Sequence, residues 1–379
     1  MRLFFYCYLV VMSVVGLSFR PAFGQEPYKI GAVLSTTGPA AFMGEPQKNS
    51  LLMIQQEINS RGGIDGHPLQ MIIYDDASNR DQAIKAVNRL IEQDRVVAII
   101  GPSLSSSTLA AIPLVEEGKV PLISCAAAVE IVRPVKPWVF KTPPSDALAV
   151  ERILTFLKSR QLSKLGLIYD QDAFGTAGRD RFFEQSSSRD IELVAKERYD
   201  AKEIDMREQI RKVVAKGAQA IVVWGTGPAP VVIARDMKDM GVDLPLINSH
   251  GVIPSELVEL GREAVNGSYL PVLSFFATEL LSDRDPQKKL INKYRADYQK
   301  RYGRAQIFGS YAWDAAWMVI DALKNVGADR KKIRDYLENL KNVLGISGVY
   351  NISAQDHNGL SRNAFMMVQI DGNRVKLVD

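Results

Sequence analysis

The run Ile100-Gly101-Pro102-Ser103-Leu104-Ser105-Ser106-Ser107-Thr108 is the part of this 379-residue chain best suited to holding a charged molecule. A buried strand ends at Ile100 and an amphipathic helix opens at the serines. Several amide N–H groups at such a start lack partners inside the helix, and the macrodipole there is positive. With a hydroxyl from Ser105 or Ser106, the loop suits a carboxylate or another anion. The same serines would equally serve as an ordinary N-cap, and the sequence leaves both readings open. The next strand ends in Ser124-Cys125-Ala126-Ala127-Ala128. Its small side chains would let a ligand approach the backbone closely, or would simply pack in a turn. Adjacent strand ends of a doubly wound sheet face one crevice, so the two loops belong together.

Other chemistries find no support. Ser35-Thr36-Thr37-Gly38-Pro39 with Phe42-Met43-Gly44 lacks the Gly-Lys-Ser/Thr ending of a phosphate loop. In Gly225-Thr226-Gly227 the prolines at 228 and 230 displace the helix-starting glycine of a dinucleotide fingerprint. No Gly-x-Ser-x-Gly elbow occurs. The three histidines, His67, His250 and His357, lie in separate loops without ligand spacing, so no metal and no cofactor is expected. Lone loop histidines are read as solvated; His250 differs because it follows a strand on the side facing the crevice. Asp75 and Asp76 are strand neighbours that point to opposite faces, and their expected job is to fix the turn at Ser78-Asn79. Cys125 has no activating base nearby and reads as a small buried filler. The chain grips a molecule and does not transform it.

The elements that must position these loops alternate. Probable strands are Lys29–Leu34, Leu69–Tyr74, Val96–Ile100 and Val120–Ser124, with helices over Gly44–Arg61, Arg80–Gln93 and Ser105–Glu117. A second series has strands at Lys164–Tyr169, Ile191–Tyr199, Ala218–Trp224 and Pro245–Asn248. Its helices are Ala147–Ser159, Thr176–Ser188, Met206–Lys216 and Ala229–Met240. Short apolar runs spaced by helices predict parallel sheets covered on both faces. Two such series predict an α/β fold of two doubly wound, Rossmann-like lobes. Lys141–Ser145 is expected to carry the chain to the second lobe, Gly267–Pro271 to bring it back, and Gly345–Asn351 to cross again. Helical patterns at Asp285–Arg301, Tyr311–Asn325 and Lys331–Leu340 fall between the last two, and a hairpin at Asp371-Gly372-Asn373 closes the chain.

Arg2, the apolar run Leu3 to Leu17 and the small residues of Ala22-Phe23-Gly24 read as a signal peptide over 1–24, cleaved before Gln25. The apolar run is shorter than the ~20 residues a membrane span needs. Cleavage would remove Cys7 and leave Cys125 alone, so no internal disulfide forms. The remaining roughly 355 residues exceed one ordinary core, again pointing to two lobes. With 47 basic against 43 acidic residues the charge is nearly balanced, which argues against a nucleic-acid footprint.

The series GAVLSTTGP, INSRGGIDGHPLQMIIYDD, AIIGPSLSSSTLAAIPLVEEGKVPLIS, LGLIYDQDAFGTAGRD and YAWDAAWMVIDAL resembles the type I periplasmic substrate-binding proteins of ABC transporters. Within them it is most similar to the receptors for leucine, isoleucine and valine. The resemblance implies two lobes joined by three crossing strands, closing on a ligand in the cleft. It divides the chain into 25–143 with 273–348, and 144–272 with 349–379, part of the tail being free to return to the first lobe. It implies that Ser105 holds a ligand carboxylate and that the loop of Ala127 and Ala128 assists. Phe174 then covers the ligand, and Met43, Thr226, Gly227 and Trp313 are wall candidates.

Two departures stand out. Family members usually carry threonine or serine where Ala128 stands, and an acidic residue pairs with the ligand ammonium where His250 stands. An unpartnered buried ammonium is costly, so the carboxylate half of an amino-acid site is retained and the ammonium half is missing. This favours an aromatic or short branched acid beside the family's amino acids. The implied protein is a periplasmic, monomeric receptor that delivers a small carboxylate to a membrane permease, neither inserted in the membrane nor bound to nucleic acid. A sensory receptor of the same fold is the alternative; a transcription regulator would need a helix-turn-helix that is absent.

Overall fold

The structure, a computed structural model, describes residues 24–378. The expected signal segment lies outside them except for Gly24. The first lobe opens with β1 (Tyr28–Leu34), α1 (Ala41–Ser60), β2 (Leu69–Asp75), α2 (Arg80–Glu92), β3 (Ala98–Ile100), α3 (Ser105–Gly118), β4 (Leu122–Ser124) and β5 (Val139–Lys141). Its five strands form an all-parallel sheet in the order β2-β1-β3-β4-β5. Apolar runs such as Ile99-Ile100 and Leu122-Ile123 are fully buried because helices cover both faces. Local chemistry starts the helices: the Asn79 side chain accepts from the amides of Asp81 and Gln82 to cap α2, whose last turn carries Arg89 against the dipole.

The second lobe comprises α4 (Asp146–Ser159), β6 (Lys164–Asp170), α5 (Ala173–Ser186), β7 (Glu192–Tyr199), α6 (Arg207–Ala215), β8 (Ala220–Trp224), α7 (Ala229–Asp239), β9 (Leu246–Asn248), α8 (Pro254–Gly261) and β10 (Tyr269–Leu273). The chain then rejoins the first lobe through α9 (Pro286–Tyr302), α10 (Ile307–Val326), α11 (Arg330–Glu338) and the small ladder β11 (Val343–Leu344) with β12 (Val349–Tyr350). It ends with β13 (Phe365–Asp371) and β14 (Arg374–Leu377) in a seven-stranded sheet ordered β14-β13-β10-β9-β8-β6-β7. Five strands of that sheet run parallel, and β13 and β14 add antiparallel at one edge. The fold is the α/β architecture expected, with two wound sheets and three passages between them.

The last two passages sit elsewhere than the sequence suggests. Gly267–Pro271 does not cross, because Tyr269 to Leu273 form a full ladder with Phe365 to Gln369. The chain leaves the second sheet only after Leu273. Nor does it return at Gly345–Asn351. His357 Nδ1 meets the carbonyl of Val139 at 2.8 Å, and Asn358 Nδ2 donates to the carbonyls of Lys141 and Pro143 at 3.1 and 2.9 Å. These bonds hold the segment through Asn358 on β5, so the crossing follows it. His357 is fully buried, stacked on Phe140 at 4.2 Å, and is not the solvated loop histidine expected.

Asp314 fixes the same region from within. It is buried on α10 and accepts from the amides of Ile346 at 2.8 Å and Ser347 at 3.0 Å, and from the Tyr350 hydroxyl at 3.0 Å. Between the lobes, Arg181 on α5 reaches Glu130 of the first lobe at 3.6 Å. On another rim, Glu256 and Glu259 of α8 face Arg295 and Arg304 of the first lobe across a groove.

Candidate functional site

Between the two sheets lies a cavity of about 50 Å³ lined by Met43, Ser103, Leu104, Ser105, Cys125, Ala126, Ala127, Pro143, Asp172, Phe174, Thr226, His250, Gly251, Phe308 and Tyr311. The strand ends β3 and β4 supply one wall, and the starts of α5 and the loops after β8 and β9 supply the other. This is the crevice at the carboxyl ends of parallel strands where open α/β sheets bind ligands.

On the first-lobe wall the loop after β3 turns at Gly101, whose φ is +92°. A Cβ there would lie 2.2 Å from the Val33 carbonyl oxygen, so only glycine fits the turn. Ser103 is already committed: its Oγ donates to Gln47 Oε1 at 2.5 Å and accepts from the Ser35 amide at 3.0 Å. Ser105 is not. It opens α3, where Leu104 gives no side-chain cap, and its Oγ accepts only a long 3.4 Å bond from the Ala128 amide. The first-turn amides of α3 and a spare hydroxyl therefore sit at the positive end of a helix. The neighbouring loop is fixed by Ser124, whose Oγ shares a hydrogen bond with Thr108 Oγ1 at 2.9 Å and accepts from the Ala126 amide at 3.1 Å. Burial pushes the Cys125 thiol up, so it stays a protonated filler. Asp75 and Asp76 secure the first loop: Asp75 accepts from both the amide and hydroxyl of Thr37, and Asp76 from Ser35 Oγ at 2.7 Å.

Behind Ala127 and Ala128 the crossing segment buries two opposite charges, Lys141 and Asp146. Lys141 Nζ donates to the Ala127 carbonyl and, at 3.4 Å, to that of Ala128. Asp146, at the start of α4, accepts from the Ala147 amide at 2.9 Å. Burial pushes the Lys141 ammonium down and the Asp146 carboxyl up, each partly offset by the other's charge.

The second-lobe wall is aromatic. Phe174 lies over Trp224 at 5.6 Å, with ring planes 25° apart. Trp224 in turn fits against Gly178, where a Cβ would come within 2.0 Å of its Nε1. His250 meets Phe174, Trp224 and Phe365 edge-on at 5.4, 5.4 and 5.2 Å. The residue lines the cavity, and both ring nitrogens are buried and have no hydrogen-bond partner. Burial, then repulsion from Lys141, brings its pKa down to about 3, so the imidazole is neutral. Asp172 Oδ1 caps α5 by accepting from the Gly175 amide at 2.6 Å, and burial raises its carboxyl above the ordinary range.

The sequence profile of the family described as periplasmic binding protein matches residues 27–374. The chain belongs to that family. A Pseudomonas aeruginosa relative described as a leucine-, isoleucine-, valine-, threonine- and alanine-binding protein is 27% identical over 330 residues, 86% of each chain. Among solved structures, an extracellular ligand-binding receptor from Rhodopseudomonas palustris superposes with a TM-score of 0.86 at 26% identity, covering 93% of this chain and 100% of that one. A branched-chain amino acid transporter substrate-binding protein from Streptococcus pneumoniae, solved with isoleucine, shares the fold with a TM-score of 0.80 at 24% identity, over 92% and 98% of the two chains. Like these relatives, the protein is a substrate-binding receptor of the periplasmic type and not an enzyme. Among the described residues no helix is long and apolar enough to cross a membrane, and no acidic, histidine or cysteine cluster is arranged to hold a metal ion.

Of the residues singled out from sequence, this periplasmic binding protein brings Met43, Ser105, Ala127, Phe174, Thr226 and His250 to one cavity. The other four lie outside it. Ser106 is half-buried on the next position of α3. Ala128 is fully buried behind the wall, offering only its amide to Ser105. Gly227 lines a separate surface pocket with Phe42 and Val231. Trp313 points away from the cleft, packing against Tyr294 at 6.0 Å and Trp317 at 5.6 Å. The wall aromatics on α10 are instead Phe308 and Tyr311, five and two residues earlier. Tyr311 is positioned by Thr142, whose Oγ1 donates to its carbonyl at 2.9 Å. Their i, i+3 spacing was the available signal, hidden because the helix begins at Ile307 and not at Tyr311.

Proposed function

We propose that the protein is the extracytoplasmic solute-binding component of an ABC transporter. It receives a small carboxylate in the interlobe cleft and presents the closed, loaded form to a membrane permease, acting as a periplasmic monomer once its leader is removed. The lobes move about the three crossing segments, and the ligand favours the closed form because it touches both walls at once. One observation carries the reading. The uncommitted Ser105 hydroxyl and the α3 amides face Phe174 and His250 of the other lobe across a single cavity. The carboxylate lies at the helix start, and Phe174, Phe308, Tyr311 and Met43 enclose an apolar body. The P. aeruginosa relative, whose name includes leucine, isoleucine and valine, supports a ligand of branched-chain size. Calorimetry on Ser105→Ala is the test. Loss of a hydrogen bond to a charged group should weaken binding of a carboxylate by about 1.5–3 kcal/mol. Unchanged affinity refutes the placement.

A further inference from the structure

We infer that His250 is the specificity-determining residue of this cleft and selects a carboxylate whose second polar group is an uncharged hydroxyl or carbonyl, not an ammonium. The inference rests on the carboxylate reading above and deepens it.

Two observations carry it. First, His250 lines the cavity while both of its ring nitrogens are buried without any partner. A neutral imidazole offers one N–H donor and one acceptor. Leaving both unpaired in a buried aromatic setting is costly, and such groups in native proteins call for a physical account. A ligand hydroxyl or carbonyl that reaches a ring nitrogen as the lobes open supplies one. Second, the wall has little to offer a cation: Asp172 is its one carboxylate among the described lining residues, and it already caps α5. The rings of Phe174, Trp224 and Phe365 close around the imidazole, and the Lys141 charge disfavours a further positive charge there. The Asp172 Oδ1 accepts from the Gly175 amide at the positive start of α5, which competes with a ligand ammonium for that carboxylate. An ammonium brings three donors and a charge. His250 can accept one of those bonds and offset none of the charge. A hydroxyl or carbonyl finds its complement without that penalty.

The test uses four acids that differ only at the α carbon: leucine, its α-hydroxy acid, its α-keto acid and the parent acid with no substituent. Binding to the purified protein is measured by calorimetry. The hydroxy or keto acid should bind about tenfold more tightly than leucine, a difference of about 1.4 kcal/mol. That preference should persist in His250→Gln, which keeps a neutral donor and acceptor, and should vanish or invert in His250→Glu. Should His250→Glu fail to fold, His250→Leu replaces it, and the hydroxy and keto acids should then lose their advantage over the parent acid. Leucine binding as tightly as the others to the wild type overturns this inference and leaves the carboxylate receptor standing, with Asp172 as the ammonium partner. An unchanged order of preference in His250→Glu, or in His250→Leu where that replaces it, overturns it as well. If none of the four acids binds, both readings fall together.

Discussion

Replacing His250 with a residue that does not titrate should change how stability depends on pH, and the size of the change follows from its surroundings. In the folded protein, burial and Lys141 hold the imidazole's pKa at about 3, against 6.5 for an unperturbed histidine. The unfolded chain therefore binds a proton that the folded chain refuses throughout that interval. Histidine here has a lowered folded-state pKa, so its contribution is fully present above about pH 6.5 and is lost as pH falls toward about 3. Between about pH 7 and about pH 5, the uptake difference climbs from about a quarter of a proton to nearly one. At about 1.4 kcal/mol per proton per pH unit, this integrates to about 2 kcal/mol. Buried Asp170 and Asp314, both pushed up to about 6 by burial, act in the opposite sense, so the wild-type profile alone is mixed. The difference between wild type and His250→Gln isolates the one ring. Urea unfolding of both proteins, without ligand, at the two pH values gives it directly. Wild type should lose about 2 kcal/mol more than the variant on acidification. Parallel losses would mean that His250 is solvated or already charged in the folded state, and the reasoning about its neutrality would be wrong.

Asp314→Ala should destabilise the protein by about 3–5 kcal/mol in denaturant unfolding, because it strips the acceptor from three buried donors at once; a loss within about 0.5 kcal/mol would show that those donors find other partners. Arg181→Gln should weaken ligand binding only slightly, by no more than about 1 kcal/mol, since the interlobe ion pair with Glu130 is partly exposed. The difference from wild type should disappear in about 1 M salt. A difference that survives salt would assign Arg181 a packing role instead.

Much of this fold is legible because continuous apolar strands and amphipathic helices have different periods, and both sheets are covered on two faces. The loop at Ser105 is legible for a related reason: it joins a buried strand to a helix, and that junction fixes where its amides face. What escapes the sequence depends on residues far apart. Gly267–Pro271 looks like a break, since proline cannot donate to a ladder. Yet β13, from the far end of the chain, pairs with it and makes it a strand. His357 looks solvated until Val139, Glu338 and Phe140 close around it. Asp172 escaped notice because a capping aspartate carries the same signature whether or not it borders a cavity. Trp313, which the resemblance pointed to, stands two positions from Tyr311, about 200° around the helix, so the two cannot share the face turned to the cavity.

The cavity itself carries a kinetic consequence. Only about 50 Å³ is free between the walls, well below the ~300 Å³ at the small end of ligand pockets. A branched six-carbon acid does not fit that space until the jaws part. Arrival and escape must both wait for them to part, so the observed association rate should level off at high solute concentration, at a ceiling set by the protein's own opening.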